Sequence, residues 1–222
     1  MILSPLELGF ARNTMTMTAQ DNTLNLQGYT NVPPGKMATI VTFLEMRAPP
    51  AARADPDGTG GLSLIRLVRG ETDRYLAIYR TLGERWMWFS RLVMARGDLD
   101  EILWHPANEV YALQRNGVDC GLLELDFRAD GACEIAFFGL YDAEVGAGTG
   151  RWLMNRALAL AWRPGIGRVW VHTCHFDDPR ALAFYQRSGF RPYKCAIEVD
   201  DDPRLNGKMR RDAAPHIPVY ET

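Results

Sequence analysis

The 222-residue chain is short of several things. It has no excess of basic charge: 25 Lys and Arg are set against 27 Asp and Glu, a formal net charge of -2. A protein that neutralises a phosphate backbone needs that excess, so nucleic acid is not an expected partner. No apolar run reaches the roughly 20 residues that span a bilayer, and "MILSPLELGFARNTM" breaks its apolar stretch with Pro5 and Glu7, where a signal peptide needs continuity. A cytoplasmic protein that makes no use of a membrane is expected. The four cysteines, Cys120, Cys133, Cys174 and Cys195, form no CxxC pair. In a chain of this length they read as reduced thiols, and neither a zinc site nor a disulfide framework is expected. Histidine is scarce too, with four residues. His172, Cys174 and His175 lie close together, but their spacing fits no zinc signature and leaves only a weak thiol or zinc hydrolase reading.

Apolar residues, by contrast, make up 47% of the chain, ample for one large domain. Residues 1–27 are polar and without period, and a poorly structured segment is expected there. "KMATIVTFLEMR" has the composition of a strand, and "APPAARADPDGTGG" that of a linker, so 28–58 reads as an added strand with its linker, ahead of a main domain over 59–222. A lone strand is not stable. It must join the sheet of the main domain or of a second copy, which makes a homodimer one open arrangement.

In the main domain "LSLIRLV" reads as a strand. From Glu71 to Met94 apolar residues recur at three and four, interrupted near Gly83, which predicts two short helices. "DLDEILWHP" predicts a third, and Asn116-Gly117 a hairpin between two strands. "CEIAFFGLY" is apolar on both faces and belongs at the sheet centre. A glycine-rich turn and a helix follow, then the strand "RVWVHTC", parallel to the one before, then "DDPRALAFYQRSGF", a helix ended by Gly189, and a last strand. The organisation is α+β, with a mixed, mostly antiparallel sheet and one parallel strand-helix-strand crossover.

"GLYDAEVGAGTGRWLM" places Gly146, Gly148 and Gly150 at the mouth of a helix. A dinucleotide fingerprint from Gly146 would need glycine where Arg151 stands, and a P-loop would need lysine followed by serine or threonine. Neither fits. A helix N-terminus still presents unpaired N–H groups and partial positive charge, and glycines let an anion reach them.

The pair "CEIAFFGLYDAEVGAGTGRWLM" and "DPRALAFYQRSGF", at this separation, resembles the GNAT superfamily of acyl-CoA-dependent N-acetyltransferases over about Leu62 to Val199. The resemblance implies a GNAT-type fold and acetyl transfer from acetyl-CoA to the amine of a small molecule or peptide by direct attack, with no metal. It implies donor contacts at Phe138, Leu140, Gly146, Ala147, Gly148, Thr149, Gly150, Arg151, Asp178 and Ala181, with Gly139 suited to a bulge. By the same resemblance Tyr185 is the general acid and Glu134 the base candidate, with Glu124 or Asp126 as alternatives acting through a water. The segment after the first strand implies an acceptor wall, in which Trp88 meets the amine and Glu84 or Arg91 selects its charge. Two departures, Val145 for arginine or glutamine and Asp178 for asparagine, sustain a second reading, a non-catalytic acyl-CoA-binding or regulatory module.

Overall fold

The computed structural model describes residues 24–221, so most of the segment expected over 1–27 lies outside the described residues. Residues up to Pro33 form one unit and Pro34–Thr222 a second. In the first, residues 24–33 make a local turn in which the Asn25 amide donates to Thr30 Oγ1 at 2.8 Å.

The second unit is built on a seven-stranded sheet of order β2-β3-β4-β5-β6-β1-β7. The strands are β1 (Lys36–Met46), β2 (Leu62–Arg66), β3 (Asn108–Arg115), β4 (Val118–Asp126), β5 (Ala132–Leu140), β6 (Arg168–Cys174) and β7 (Arg191–Asp201). All neighbours are antiparallel except β5 and β6. The expected α+β architecture is present, with β5 at the centre. Asn116 and Gly117 both take positive φ, 50° and 83°, in the hairpin turn between β3 and β4, as a two-residue turn between twisted strands requires.

Of the two placements open to the N-terminal strand, the structure has the first: β1 lies inside the sheet of the main domain, hydrogen-bonded to β6 on one side and β7 on the other. The division at 58/59 therefore cuts through one packed unit. Because β1 is paired on both sides within its own chain, it needs no second copy to complete its hydrogen bonding. "APPAARADPDGTGG" is pinned rather than loose. Arg53 Nη2 donates to the Arg187 carbonyl at 2.8 Å, Asn155 Nδ2 donates to Asp55 Oδ1 at 3.1 Å, and Arg156 pairs with Asp55.

Helices cover both faces. On one side α1 (Thr72–Gly83), α2 (Ser90–Val93) and α3 (Arg96–Leu103) pack with the C-terminal segment. In α1 the residues Tyr75, Ile78, Tyr79 and Leu82 recur at helical spacing, and all four are buried. On the other side lie α4 (Thr149–Ala161) and α5 (Ala181–Arg187), where Leu153, Ala157 and Ala161 of α4 are fully buried against the sheet. The C-terminal loop is organised by Arg204, buried together with Asp202 at 2.6 Å and donating to the carbonyls of Ala213, Ala214 and Ile217. Among the described residues no helix is long and apolar enough to cross a membrane.

Candidate active site

The parallel pair comes apart. β5 and β6 are in register only at Ala132–Arg168, Cys133–Val169 and Glu134–Trp170, although β5 runs on to Leu140 and β6 to Cys174. Beyond Glu134 the two strands open into a V. The Tyr141 amide donates to the Cys120 carbonyl at 2.8 Å, toward β4. Since alternate residues of a strand direct their backbone groups to opposite sides, Phe138 and Leu140 turn their N–H and C=O groups toward the open side. The bulge that accommodates this is at Ala136, where Glu124 pairs with Phe137 but Leu125 with Ile135. Gly139, expected to form it, is regularly paired with Leu122. Glycine is required there for another reason: a Cβ would lie 2.8 Å from the Trp88 ring.

At the mouth of the V stands the glycine turn. A short 3-10 turn, Asp142–Glu144, leads into Gly146 (φ 95°) and Gly148 (φ 82°), the latter the N-cap residue of α4. Gly148 has no side chain to cap the helix, which leaves the first amides of α4 available to an anion among the described residues. Gly146 and Ala147 are exposed, Gly150 is half-buried near Leu140 and Phe184, and Arg151 projects into solvent from the first turn. The Thr149 side chain is committed inward, its hydroxyl donating to Glu144 at 3.0 Å beside the Arg115–Glu144 ion pair of 2.7 Å. Only its amide can face a ligand. Pro56, from the pinned segment, lies over Gly148, 2.7 Å from where a Cβ would stand.

On the α4/α5 face Phe138 packs on Phe184 (5.6 Å between centroids) and edge-on to Tyr185 (6.3 Å). Tyr185 is buried, which raises its phenol pKa well above the ordinary value and keeps it protonated at neutral pH. Ala181 is half-buried at the start of α5. Asp178 is engaged by its neighbour, accepting from the Arg180 amide at 2.9 Å and guanidinium at 2.5 Å, and these bonds hold its carboxyl below the usual range.

On the opposite face Glu134 is at the last paired position before the V opens. Its Oε1 is 3.2 Å from Nδ1 of His172 on β6. The separation is that of an ion pair, but its angles are not those of a hydrogen bond, so buried Nδ1 lacks a hydrogen-bonding partner among the described residues. Burial disfavours the imidazolium, yet the Glu134 contact and the charges of Asp177 and Glu198 outweigh it and raise the His172 pKa above 6.5. In the sequence His172 stands within a poor metal or thiol motif, which hides it. The available signal was strand alternation, which puts Trp170, His172 and Cys174 on one face of "RVWVHTC". Burial pushes the Cys174 thiol up to about 11, leaving it protonated at neutral pH and poorly suited to act as a nucleophile. Among the described residues no group of three metal-ligating side chains occurs.

Trp88 closes this face. Met87, buried with φ 57°, takes the left-handed conformation that side chains avoid, so "RWMWF" does not keep helical phase and Trp86, Trp88 and Phe89 are all half-buried. Trp86 turns to His216, at 5.7 Å. Trp88 packs on Tyr79 and Phe137, and its Nε1 donates at 3.0 Å to Asp177, which also accepts from Thr173 Oγ1 and the Cys174 amide. This tie joins the α1–α2 segment to the end of β6.

Four candidates are placed elsewhere. Arg91 is buried, and its Nη2 donates to Glu124 at 2.6 Å, so it cannot select the charge of a substrate. Glu124 also accepts from Tyr75 OH at 2.8 Å and Asn108 Nδ2 at 3.4 Å, which removes it as a base. Asp126 is bracketed by Arg128, at 2.6 Å, and is committed in the same way. Glu84 faces Arg210 at 3.7 Å, beside the C-terminal loop.

A sequence profile described as "Acetyltransferase (GNAT) family" matches residues 77–190, just over half of the chain. Curated protein sequences provide no match. Among solved structures, a GCN5-related N-acetyltransferase from Kribbella flavida superposes with a TM-score of 0.51 at 19% identity, covering 78% of this chain and 63% of its own. A functionally unknown conserved protein from Staphylococcus epidermidis gives 0.51 at 13%, covering 76% and 64%. A GCN5-related N-acetyltransferase from Sphaerobacter thermophilus gives 0.50 at 18%, covering 77% and 53%. The present chain thus spans less than two thirds of these structures, and at such identities the likeness is one of fold. With the profile match, the parted parallel strands and the glycine turn all in one chain, this protein belongs to the GNAT acetyltransferase family.

Proposed function

We propose that the chain transfers an acetyl group from acetyl-CoA to the amine of a small molecule or peptide. The observation that carries this reading is the parting of β5 from β6. It exposes the backbone groups of Phe138 and Leu140 between the glycine turn at Gly146–Arg151 and a titratable pair, Glu134 and His172, at the apex. A pantetheine arm is a chain of amides that needs such backbone partners, and a thioester carbonyl becomes more reactive when an N–H donor polarises it. The amine nitrogen attacks that carbonyl, the C–N bond forms, the C–S bond breaks, and the departing sulfur takes a proton. The protonated Tyr185 phenol on the other wall is the proposed donor. The test is a panel of amines incubated with acetyl-CoA and scored for free thiol and product mass, with longer acyl-CoAs run alongside to define the donor. Donor binding without thiol release from any amine favours the non-catalytic module, a reading supported by the engagement of Asp178 with Arg180 and by Val145 in place of a polar side chain.

Trp88 is proposed on the acceptor side, as an apolar and cation-π wall. Because Trp88 is also packed over Gly139, phenylalanine is the informative replacement. Trp88→Phe keeps a ring and deletes the N–H to Asp177. The expected result is a rise in the acceptor KM of about tenfold, equivalent to about 1.4 kcal/mol, with acetyl-CoA binding unchanged and about 1 kcal/mol of stability lost with the hydrogen bond. An unchanged KM would assign Trp88 to packing alone.

A further inference from the structure

We propose that His172 is the residue that accepts the amine proton, and that Glu134 is a positioning residue that holds the imidazole and balances its charge. The inference rests on the acyl-transfer reading above and reassigns the base within it. Glu134 has 6% of its side chain exposed against 34% for His172, so a substrate arriving on this face meets the imidazole first. The imidazole is held between rings, with Phe43 at 5.7 Å and Trp170 at 6.2 Å. Its position is two residues past the last β5–β6 pair, on the rim of the V rather than in the closed sheet. Nδ1 faces the Glu134 carboxylate, which leaves Nε2 as the nitrogen able to take a proton.

Glu134 on β5 is in contact with the imidazole, and Asp177 in the turn after β6 and Glu198 on β7 add negative charge to its surroundings. Cys174 follows on its own strand. The charged group opposite on β7 is Lys194, whose ammonium sits over the Phe43 ring at 4.6 Å. From the helical face Trp88 contributes no charge and binds Asp177. Three carboxylates outweigh one lysine, so an imidazolium formed here is stabilised, as required of a base that takes a proton during amine attack. In that step the C–N bond forms at the thioester carbon, the nitrogen's surplus proton passes to His172, and the C–S bond breaks with the sulfur protonated by Tyr185 or water.

The experiment compares wild type, His172→Gln and Glu134→Gln with the acceptor selected by the amine panel, recording kcat/KM from pH 5.5 to 9. Acetyl-CoA-induced thermal stabilisation serves as the control for fold and donor site. The acceptor's own ionisation is common to all three proteins and drops out of the comparison. His172→Gln is expected to lower kcat by about 10²- to 10⁴-fold and to abolish the enzyme's acid limb. Glu134→Gln, which removes a carboxylate that holds the imidazole pKa up, is expected to keep the limb but shift it to lower pH, with a smaller loss of kcat. The reverse pattern, in which Glu134→Gln abolishes the limb and His172→Gln retains it, overturns the proposal and makes Glu134 the base. Loss of activity in His172→Gln together with loss of donor-induced stabilisation also overturns it, in favour of a structural role. Wild type inactive towards every amine, with donor binding intact, overturns the acyl-transfer reading itself.

Discussion

Arg91→Ala is expected to lower the free energy of unfolding by about 3–5 kcal/mol, the range found when one partner of a buried ion pair is removed. At this chain length that corresponds to a fall in Tm of roughly 6–20 °C. The cause is the group left behind. Glu124 is fully buried, and with Arg91 absent its carboxylate would keep only the Tyr75 hydroxyl and the longer Asn108 contact. The guanidinium also lies 5.1 Å from the Phe137 ring, so packing is lost with the charge. Urea denaturation of the single variant and of Arg91→Met/Glu124→Leu separates the two contributions. The double replacement removes both charges and should recover much of the loss, because no unpaired charge remains. A loss below 1 kcal/mol in Arg91→Ala would mean that water reaches Glu124. Activity in the variant should follow the folded fraction and leave the acceptor KM unchanged, as expected of a residue that holds up α2 and touches no substrate.

The second large effect is expected at the glycine turn. Acetyl-CoA at a hundredfold excess over its Kd should stabilise the wild type by about 2.7 kcal/mol, and Ala147→Glu should remove that stabilisation. Ala147 is the informative site because it is exposed and is absent from the residues with positive φ. Glutamate enters there without strain. In the free protein an acid beside the start of α4 is expected to be neutral or to add about 0.3–1 kcal/mol through the helix dipole. The variant should therefore be at least as stable as wild type without ligand and less stable with it. That crossing cannot come from misfolding. Gly148→Glu would not be so clean, since positive φ and the contact with Pro56 would destabilise the free protein as well. Ala147→Glu with an undiminished thermal shift would move the phosphate site away from this turn.

Local pattern carried much of the architecture. Periodicity marked α1 and the stripe of α4, Asn116-Gly117 marked the hairpin, and the doubly apolar "CEIAFFGLY" marked the central strand, because each of these is a property of neighbouring residues along the chain. Glu134, Tyr185 and the glycine turn were singled out through the resemblance that the two motifs carry. Helical phase failed at "RWMWF", where Met87 takes positive φ under tertiary constraint and redirects Trp88.

Contacts between distant segments were decided only by the tertiary structure. Composition identified β1 as a strand but could not place it between β6 and β7, since pairing partners more than a hundred residues away leave no periodic trace. "APPAARADPDGTGG" has the composition of a linker, yet Asp55 and Pro56 are held against α4 by residues close in space and remote in sequence. Arg91 and Glu124 each look like an available charge until folding buries them together. The same holds for the Glu134–His172 pair. Alternation places each side chain on a face of its own strand, but only the register and divergence of two strands joined through α4 bring Oε1 to 3.2 Å from Nδ1 at the apex of the V.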